Sequence, residues 1–248
     1  MTLVLFGLFF LFMLLGVPIA FAIGASSLYA LYQSGVPLMV VTQQMFQGIN
    51  SFALVAIPMF ILAGDLMAQG KVSERLVSFA DSLVGFMRGG LSVVSVMAGM
   101  FFAAISGSGS ATTAAVGSSL VPELKRKGYD PASAASLIAA SGTIGVVIPP
   151  SVPMIIYAVI AQQSVSELFL NGFLPGLAMG VALMAIAITQ AYKRQYPKGT
   201  PLSLATMWHT FKAASWGLMT PVIILGGIFS GIFTPSEAAV VAGNYALL

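Results

Sequence analysis

Charge is scarce in this chain and cysteine is missing altogether. Of 248 residues, 7% are Asp, Glu, Lys or Arg, where a soluble domain carries about 25%. That excludes an ordinary soluble domain. Without a thiol there is no disulfide framework and no thiolate chemistry. The single histidine, His209, sits beside Trp208 in a polar stretch and reads as a solvated residue. No Cys/His or His/Glu group has the spacing of a metal site. The N-terminus lacks the basic residues that open a signal peptide.

What the chain has is apolar length: 58% of its residues are hydrophobic. Uncharged runs cover Met1 to Gly64, Gly89 to Pro122, Pro131 to Ser166, Leu168 to Tyr192 and Ala213 to Ser236. Each matches or exceeds the roughly 20 residues that span a bilayer as helix. The runs do not alternate as barrel strands would. The expected class is therefore an all-α polytopic membrane protein, with Met1 to Tyr32 read as its first membrane helix.

The basic residues fall in short connections: Lys71, Arg75 and Arg88; Lys125, Arg126 and Lys127; Lys193, Arg194 and Lys198, followed by Lys212. By the positive-inside rule all face the cytoplasm, and the uncharged Gln33 to Ser51 connection lies outside. The net charge of +3 is thus a topology signal, and nucleic acid is not an expected partner.

Gly89 to Pro122 has basic flanks on both sides, so both ends belong on one face of the membrane. Two full passes need roughly 40 residues, and this run has 34. It is expected to enter, turn near Ser106 to Ser110 and leave by the side it entered, as a re-entrant helical hairpin. Backbone that is not helical at that depth must be buried in protein or line a wet cavity. The tip, "ISGSGSATTAAVG", is rich in hydroxyls and glycine. One reading is close helix packing by small residues. The other is a tip whose carbonyls and hydroxyls bind an ion while the outgoing half-helix turns its N-terminus to an anion.

In the next run, "SGTIGVVIPPSVP" interrupts the apolar pattern from Ser141 to Pro153. Three prolines within five residues forbid an unbroken helix, so 131–166 is read as two half-helices around an unwound stretch. A proline kink absorbed by neighbouring helices is the plainer alternative. Phe169 to Tyr192 then returns inward, Lys193 to Lys212 forms an interfacial arm, and Ala213 to Phe233 crosses outward. Thr234, Pro235 and Glu237 have the spacing of a capping box at the start of another helix. Asp65 closes an apolar run and reads either as an intramembrane functional group or as an interfacial residue paired with Lys71 or Arg75. An intramembrane serine protease is excluded: the residue two before Ser108 is Ser106, not glycine, and the one histidine lies in a connection.

The stretches "GVPIAFAIG" (16–24), "IPMFILAGDLM" (57–67), "ISGSGSATTAAVGS" (105–118), "KGYDPASAASLIAASGTIGVVIPPSVPMIIYA" (127–158) and "GIFTPSEAAVVA" (231–242) together resemble the large membrane subunit of tripartite ATP-independent periplasmic (TRAP) transporters. The resemblance spans nearly the whole chain. It implies a Na⁺-driven importer of organic acid anions, of the C4-dicarboxylate or sialic acid type, in the bacterial inner membrane. Its implied partners are a small four-helix membrane subunit and a soluble periplasmic substrate-binding protein. Na⁺ is the coupling ion and no other cofactor is expected.

The implied fold is the first of two inverted repeats of an elevator-type transporter, cut off in the helix that begins the second. Residues 1–88 would be scaffold helices and a cytoplasmic connection, and 89–168 the transport-domain half, with its re-entrant hairpin (89–122) and discontinuous helix (131–166). Residues 169–233 would add scaffold helices with an interfacial arm (193–212), and 234–248 the truncated second repeat. Carried over by position, Ser106, Gly107, Ser108 and Gly109 of the tip and Gly142, Thr143, Gly145 and Val147 of the break would hold Na⁺. Ser110, Thr112, Thr113, Pro149, Pro150 and Ser151 would contact substrate. An ion channel or a structural membrane scaffold without coupled transport is the alternative.

Overall fold

The computed structural model describes residues 1–199 and 201–247, and every regular element among them is a helix. The chain divides into two units, Met1–Ser51 and Phe52–Leu248.

The first unit holds α1 (Thr2–Leu14), α2 (Ile19–Gln33) and α3 (Leu38–Ile49). The expected single helix over Met1 to Tyr32 is therefore two. The apolar period runs on through both, but Gly16 takes a left-handed φ of +79° and Pro18 follows. A glycine in that conformation just past a helix, with proline behind it, stops the helix. The connection Gln33 to Ser51 is itself largely helical.

In the second unit a short 3₁₀ turn (Phe52–Val55) leads into α4 (Ala56–Gln69), followed by the amphipathic α5 (Val72–Val84). The paired helices α6 (Gly90–Ser106) and α7 (Gly109–Arg126) come next, joined by Gly107 and Ser108 alone. The turn falls inside the expected window, and α7 runs four residues beyond Pro122. Then α8 (Pro131–Thr143) and a 3₁₀ turn (Ile144–Val146) end at an unwound stretch, Val147 to Ser151, before α9 (Val152–Ala161). The predicted break is thus present, with a cis peptide between Pro149 and Pro150. Two long helices, α10 (Val165–Lys193) and α11 (Leu204–Phe229), and the capped α12 (Pro235–Ala246) complete it. Because Ser203 caps α11 through the Thr206 N–H, Trp208, His209 and Lys212 lie on the helix itself, not in a separate arm.

Among the described residues, three helical stretches, 52–69, 165–193 and 204–229, are long and apolar enough to cross a membrane by length and composition. On α10 the large side chains point outward: Leu174 is 76% exposed and Ile186 59%. Apart from Val165 and Phe169 in its first turns, the buried positions of the helix are small: Gly172, Gly176, Gly180, Ala187 and Ala191. Gly172, Gly176 and Gly180 form one stripe, facing the Val147 carbonyl, Ile148 and Met100 respectively. This Gly-x₃-Gly-x₃-Gly spacing brings α10 against both the break and α6, as small residues do between membrane helices.

The opposite end of α6 is tied down by polar contacts. The Gly89 N–H donates to the Pro197 carbonyl (3.0 Å), and Arg88 forms a backbone bridge with Lys198. Asp130, the N-cap of α8, pairs with Arg194 at 3.2 Å, and the Tyr129 and Tyr196 rings lie 4.1 Å apart. The start of α6, the start of α8 and the end of α10 therefore share one end of this unit. Of the expected basic residues, Arg88, Arg194 and Lys198 gather there, whereas Lys71 and Arg75 open α5 beside Gly217 and Ile105, toward the other end of α6.

Candidate functional site

At the other end of α6 the turn is made by Gly107, at φ +62°. Its carbonyl accepts from the Val152 N–H (3.1 Å), the first residue of α9. A Cβ on Gly107 would lie 2.6 Å from the Pro150 carbonyl oxygen. The tip is thus seated directly on the unwound stretch. Two more glycines extend the contact. A Cβ on Gly109 would be 2.9 Å from the Gly142 carbonyl. One on Gly145 would be 2.8 Å from the Thr112 hydroxyl and 3.0 Å from the Ser108 carbonyl. Gly142 abuts Thr113. Only residues without side chains let the two backbones approach so closely.

Four helix ends meet here: the C-terminal ends of α6 and α8 and the N-terminal ends of α7 and α9. Each C-terminal end presents carbonyls with no partner inside its helix, and each N-terminal end presents N–H groups. The dipoles place partial negative charge at the first pair and partial positive charge at the second. The N-caps are serines in both cases: Ser108 accepts from the Ala111 N–H and Ser151 from the Met154 N–H, each at 3.4 Å. Ser151 is fully buried and donates to the Val146 carbonyl at 2.7 Å.

The hydroxyls of the tip form a connected group. Ser106 and Thr112, both buried, lie 3.0 Å apart at their oxygens. Thr112 donates to the Ser108 carbonyl (2.8 Å) and Thr113 to the Gly109 carbonyl (2.9 Å).

Of the residues expected at the site, Ser106, Gly107, Ser108, Gly109, Thr112, Thr113, Gly142, Gly145, Pro150 and Ser151 come together. Pro149 is buried in the same stretch. Thr143 is exposed and bonds back to the Ala140 carbonyl at 2.7 Å. The Val147 carbonyl faces Gly172 of α10 rather than the tip. Ser110 is exposed, its hydroxyl 3.1 Å from that of Ser108, on the side of the tip turned to α4.

That side holds a residue whose place the sequence left open. Gly64 of α4 packs on the tip, with a Cβ there only 3.1 Å from Ser106 Cα. Next to it Asp65 lines a cleft of about 500 Å³ together with Ser106, Ser108 and Ser110. Among the described residues the ion pairs are those of Glu123 with Arg126 and Lys127 and of Asp130 with Arg194, so neither Lys71 nor Arg75 pairs with Asp65. Glu237 is the helix-start residue its spacing predicts, completing a capping box with Thr234. His209 is exposed. Among the described residues no three His, Cys, Asp or Glu side chains cluster as metal ligands.

Residues 6–248 match the family model for the tripartite ATP-independent periplasmic transporter, DctM component. The chain is 46% identical over 248 residues to the isethionate TRAP transporter permease protein DctMQ of Oleidesulfovibrio alaskensis, covering 99% of this chain and 39% of that protein. It is 39% identical to the C4-dicarboxylate TRAP transporter large permease protein DctM of Rhodobacter capsulatus, covering 99% and 59%. With the 2,3-diketo-L-gulonate TRAP transporter large permease protein YiaN of Escherichia coli it shares 43% identity over 94% of this chain and 55% of that one. The chain thus spans between 39% and 59% of the length of these relatives. With the family model matched from residue 6 onward, the chain belongs to the DctM-component family of TRAP transporter large permeases.

Proposed function

We propose that this chain forms the tip-and-break half of the permease subunit in a Na⁺-coupled importer of organic acid anions in the bacterial inner membrane. The relatives are transport components, not enzymes. Their names specify isethionate, C4-dicarboxylates and 2,3-diketo-L-gulonate, all small organic anions, and sialic acid belongs to the same chemical class.

The observation that carries the reading is the seating of the hairpin tip on the unwound stretch, through Gly107, Gly109, Gly142 and Gly145. Carbonyl-bearing ends of α6 and α8 and the Ser106 and Thr112 hydroxyls supply hard oxygen ligands suited to Na⁺. The N-terminal ends of α7 and α9 suit a carboxylate or other anion. Bound Na⁺ offsets the charge of the incoming anion, so neither binds well alone; that is coupling in thermodynamic terms. The hairpin supports re-entry: α6 has 17 residues, roughly 25 Å of helix, which is less than a bilayer core.

In this reading the tip and break move together as part of an elevator, with a small membrane subunit as its scaffold partner and a periplasmic binding protein delivering substrate. The fused name DctMQ of one relative fits a two-component membrane part.

The test uses the full-length subunit with its partners in proteoliposomes. Uptake should require Na⁺ and saturate with it. Thr112→Val, which keeps shape but removes an oxygen, should raise the half-saturating Na⁺ concentration about tenfold, the effect of about 1.4 kcal/mol on a charged ligand. Uptake unchanged when K⁺ replaces Na⁺, or conduction without the binding protein, would overturn the proposal in favour of a channel.

A further inference from the structure

We propose a second cation site on the other face of the hairpin tip, formed by Asp65 with the hydroxyls of Ser106, Ser108 and Ser110. It rests on the transport reading above, shares the Ser106 hydroxyl with that site and adds Asp65, Ser108 and Ser110. Three observations carry it. First, Gly64 holds α4 in van der Waals contact with Ser106, so the neighbouring carboxylate is kept beside the tip by backbone packing. Second, Asp65 and the three serines line one cleft of about 500 Å³, whose remaining wall is apolar, with Ile61 one helical turn before Asp65. Third, no basic side chain answers the carboxylate: the ion pairs among the described residues lie elsewhere. A carboxylate within a segment apolar enough to span a membrane is costly unless a cation accompanies it.

The chemistry of the cleft selects its occupant. Its polar side chains, those of Asp65, Ser106, Ser108 and Ser110, offer only oxygens, which suit hard cations. One carboxylate supplies a single negative charge, which a monovalent ion neutralises; divalent sites gather more. The same carboxylate repels an organic anion from this cleft, although the first turn of α7 lines it, and leaves the anion the break side of the tip, toward the N-terminal end of α9. The Ser108 and Ser110 hydroxyls are 3.1 Å apart; with Ser108 donating to Ser110, each keeps a lone pair for the ion. The cleft cation thus bridges α4 to the tip, and its binding biases the position of the hairpin.

The probe is Na⁺ itself, with K⁺ as control, on the full-length permease and its partners. Asp65→Asn should raise the half-saturating Na⁺ for uptake about tenfold, while the anion KM at saturating Na⁺ stays within about twofold. Ser110→Ala, an exposed position away from the break, should shift the Na⁺ dependence in the same direction by a smaller factor. The rise in thermal midpoint of the purified protein on adding Na⁺ should also shrink in Asp65→Asn, a readout that needs no transport. Wild-type uptake that depends on Na⁺, with both variants unchanged in Na⁺ dependence, would overturn this site and leave the transport reading intact. A changed pH profile with unchanged Na⁺ dependence would overturn it in favour of a proton. Uptake by the wild type that ignores Na⁺ would sink both.

Discussion

Gly107 is where one residue decides whether the tip and the break can meet. It sits in the left-handed region, which costs a residue with a Cβ roughly 1–2 kcal/mol, and a Cβ there would press on the Pro150 carbonyl at 2.6 Å. Backbone cannot yield as a flexible side chain does. Gly107→Ala should therefore lower the thermal midpoint of the purified full-length subunit, through a loss of about 2–3 kcal/mol from strain and overpacking combined, and abolish Na⁺-dependent stabilisation. A midpoint within a degree of wild type would show that the tip is not seated as described. The tip serines were legible because hydroxyls in an uncharged apolar run need a reason to be there. The sequence leaves Asp65 open: a carboxylate near a helix end fits an interfacial role equally well, and only the fold brings Gly64 onto Ser106.

Among the elements, breaks were easier to read than continuations. Three prolines within five residues weigh far more heavily against a continuous helix than the single prolines that α7, α10 and α11 absorb, so the Val147 to Ser151 interruption is legible in the sequence. Conversely, Met1 to Tyr32 is equally apolar on both sides of Gly16, and hydropathy cannot see a turn that costs no polarity. The glycine stripe of α10 is not legible in the sequence because glycine in a helix suggests weakness, whereas here it marks the face in contact with the break and with α6. Helix caps are also visible in sequence, and the one at Asp130 makes a pH prediction. Its carboxyl accepts from the Ser133 hydroxyl (2.8 Å) and N–H (2.9 Å), chiefly the former, and this holds it below the usual carboxylate range, with Arg194 adding to the effect. A folded-state pKa below the unfolded one means that the stabilisation is complete above the ordinary Asp value, about pH 4. It is lost as pH falls through the lower folded value. Hydrogen exchange in the first turn of α8, corrected for intrinsic rate, should accelerate below about pH 4. Asp130→Asn, which caps without titrating, should remove that dependence; the same acid response in both proteins would contradict it.

For the molecule as a whole, the decisive relation is between its two ends. Contacts among Gly89, Pro197, Asp130 and Arg194 gather the start of α6, the start of α8 and the end of α10 at the basic end. The tip and break lie about one α6 length away. In the proposed topology, a hairpin of that length, entering and leaving at the charged end, would bring four helix ends to a depth where water is scarce and their dipoles act strongly. In the proposed function, this placement is what would make a group of glycines and hydroxyls an ion and anion site. The absence of cysteine in this segment makes the claim directly measurable. Single cysteines at Phe86, just before α6, and at Lys125, near the end of α7, would be introduced into the full-length subunit cleared of other thiols. They would then be labelled with a membrane-impermeant reagent in oriented vesicles. The account predicts that both label from the cytoplasmic side alone; labelling from opposite sides would make the segment a membrane crossing and contradict the site at its tip.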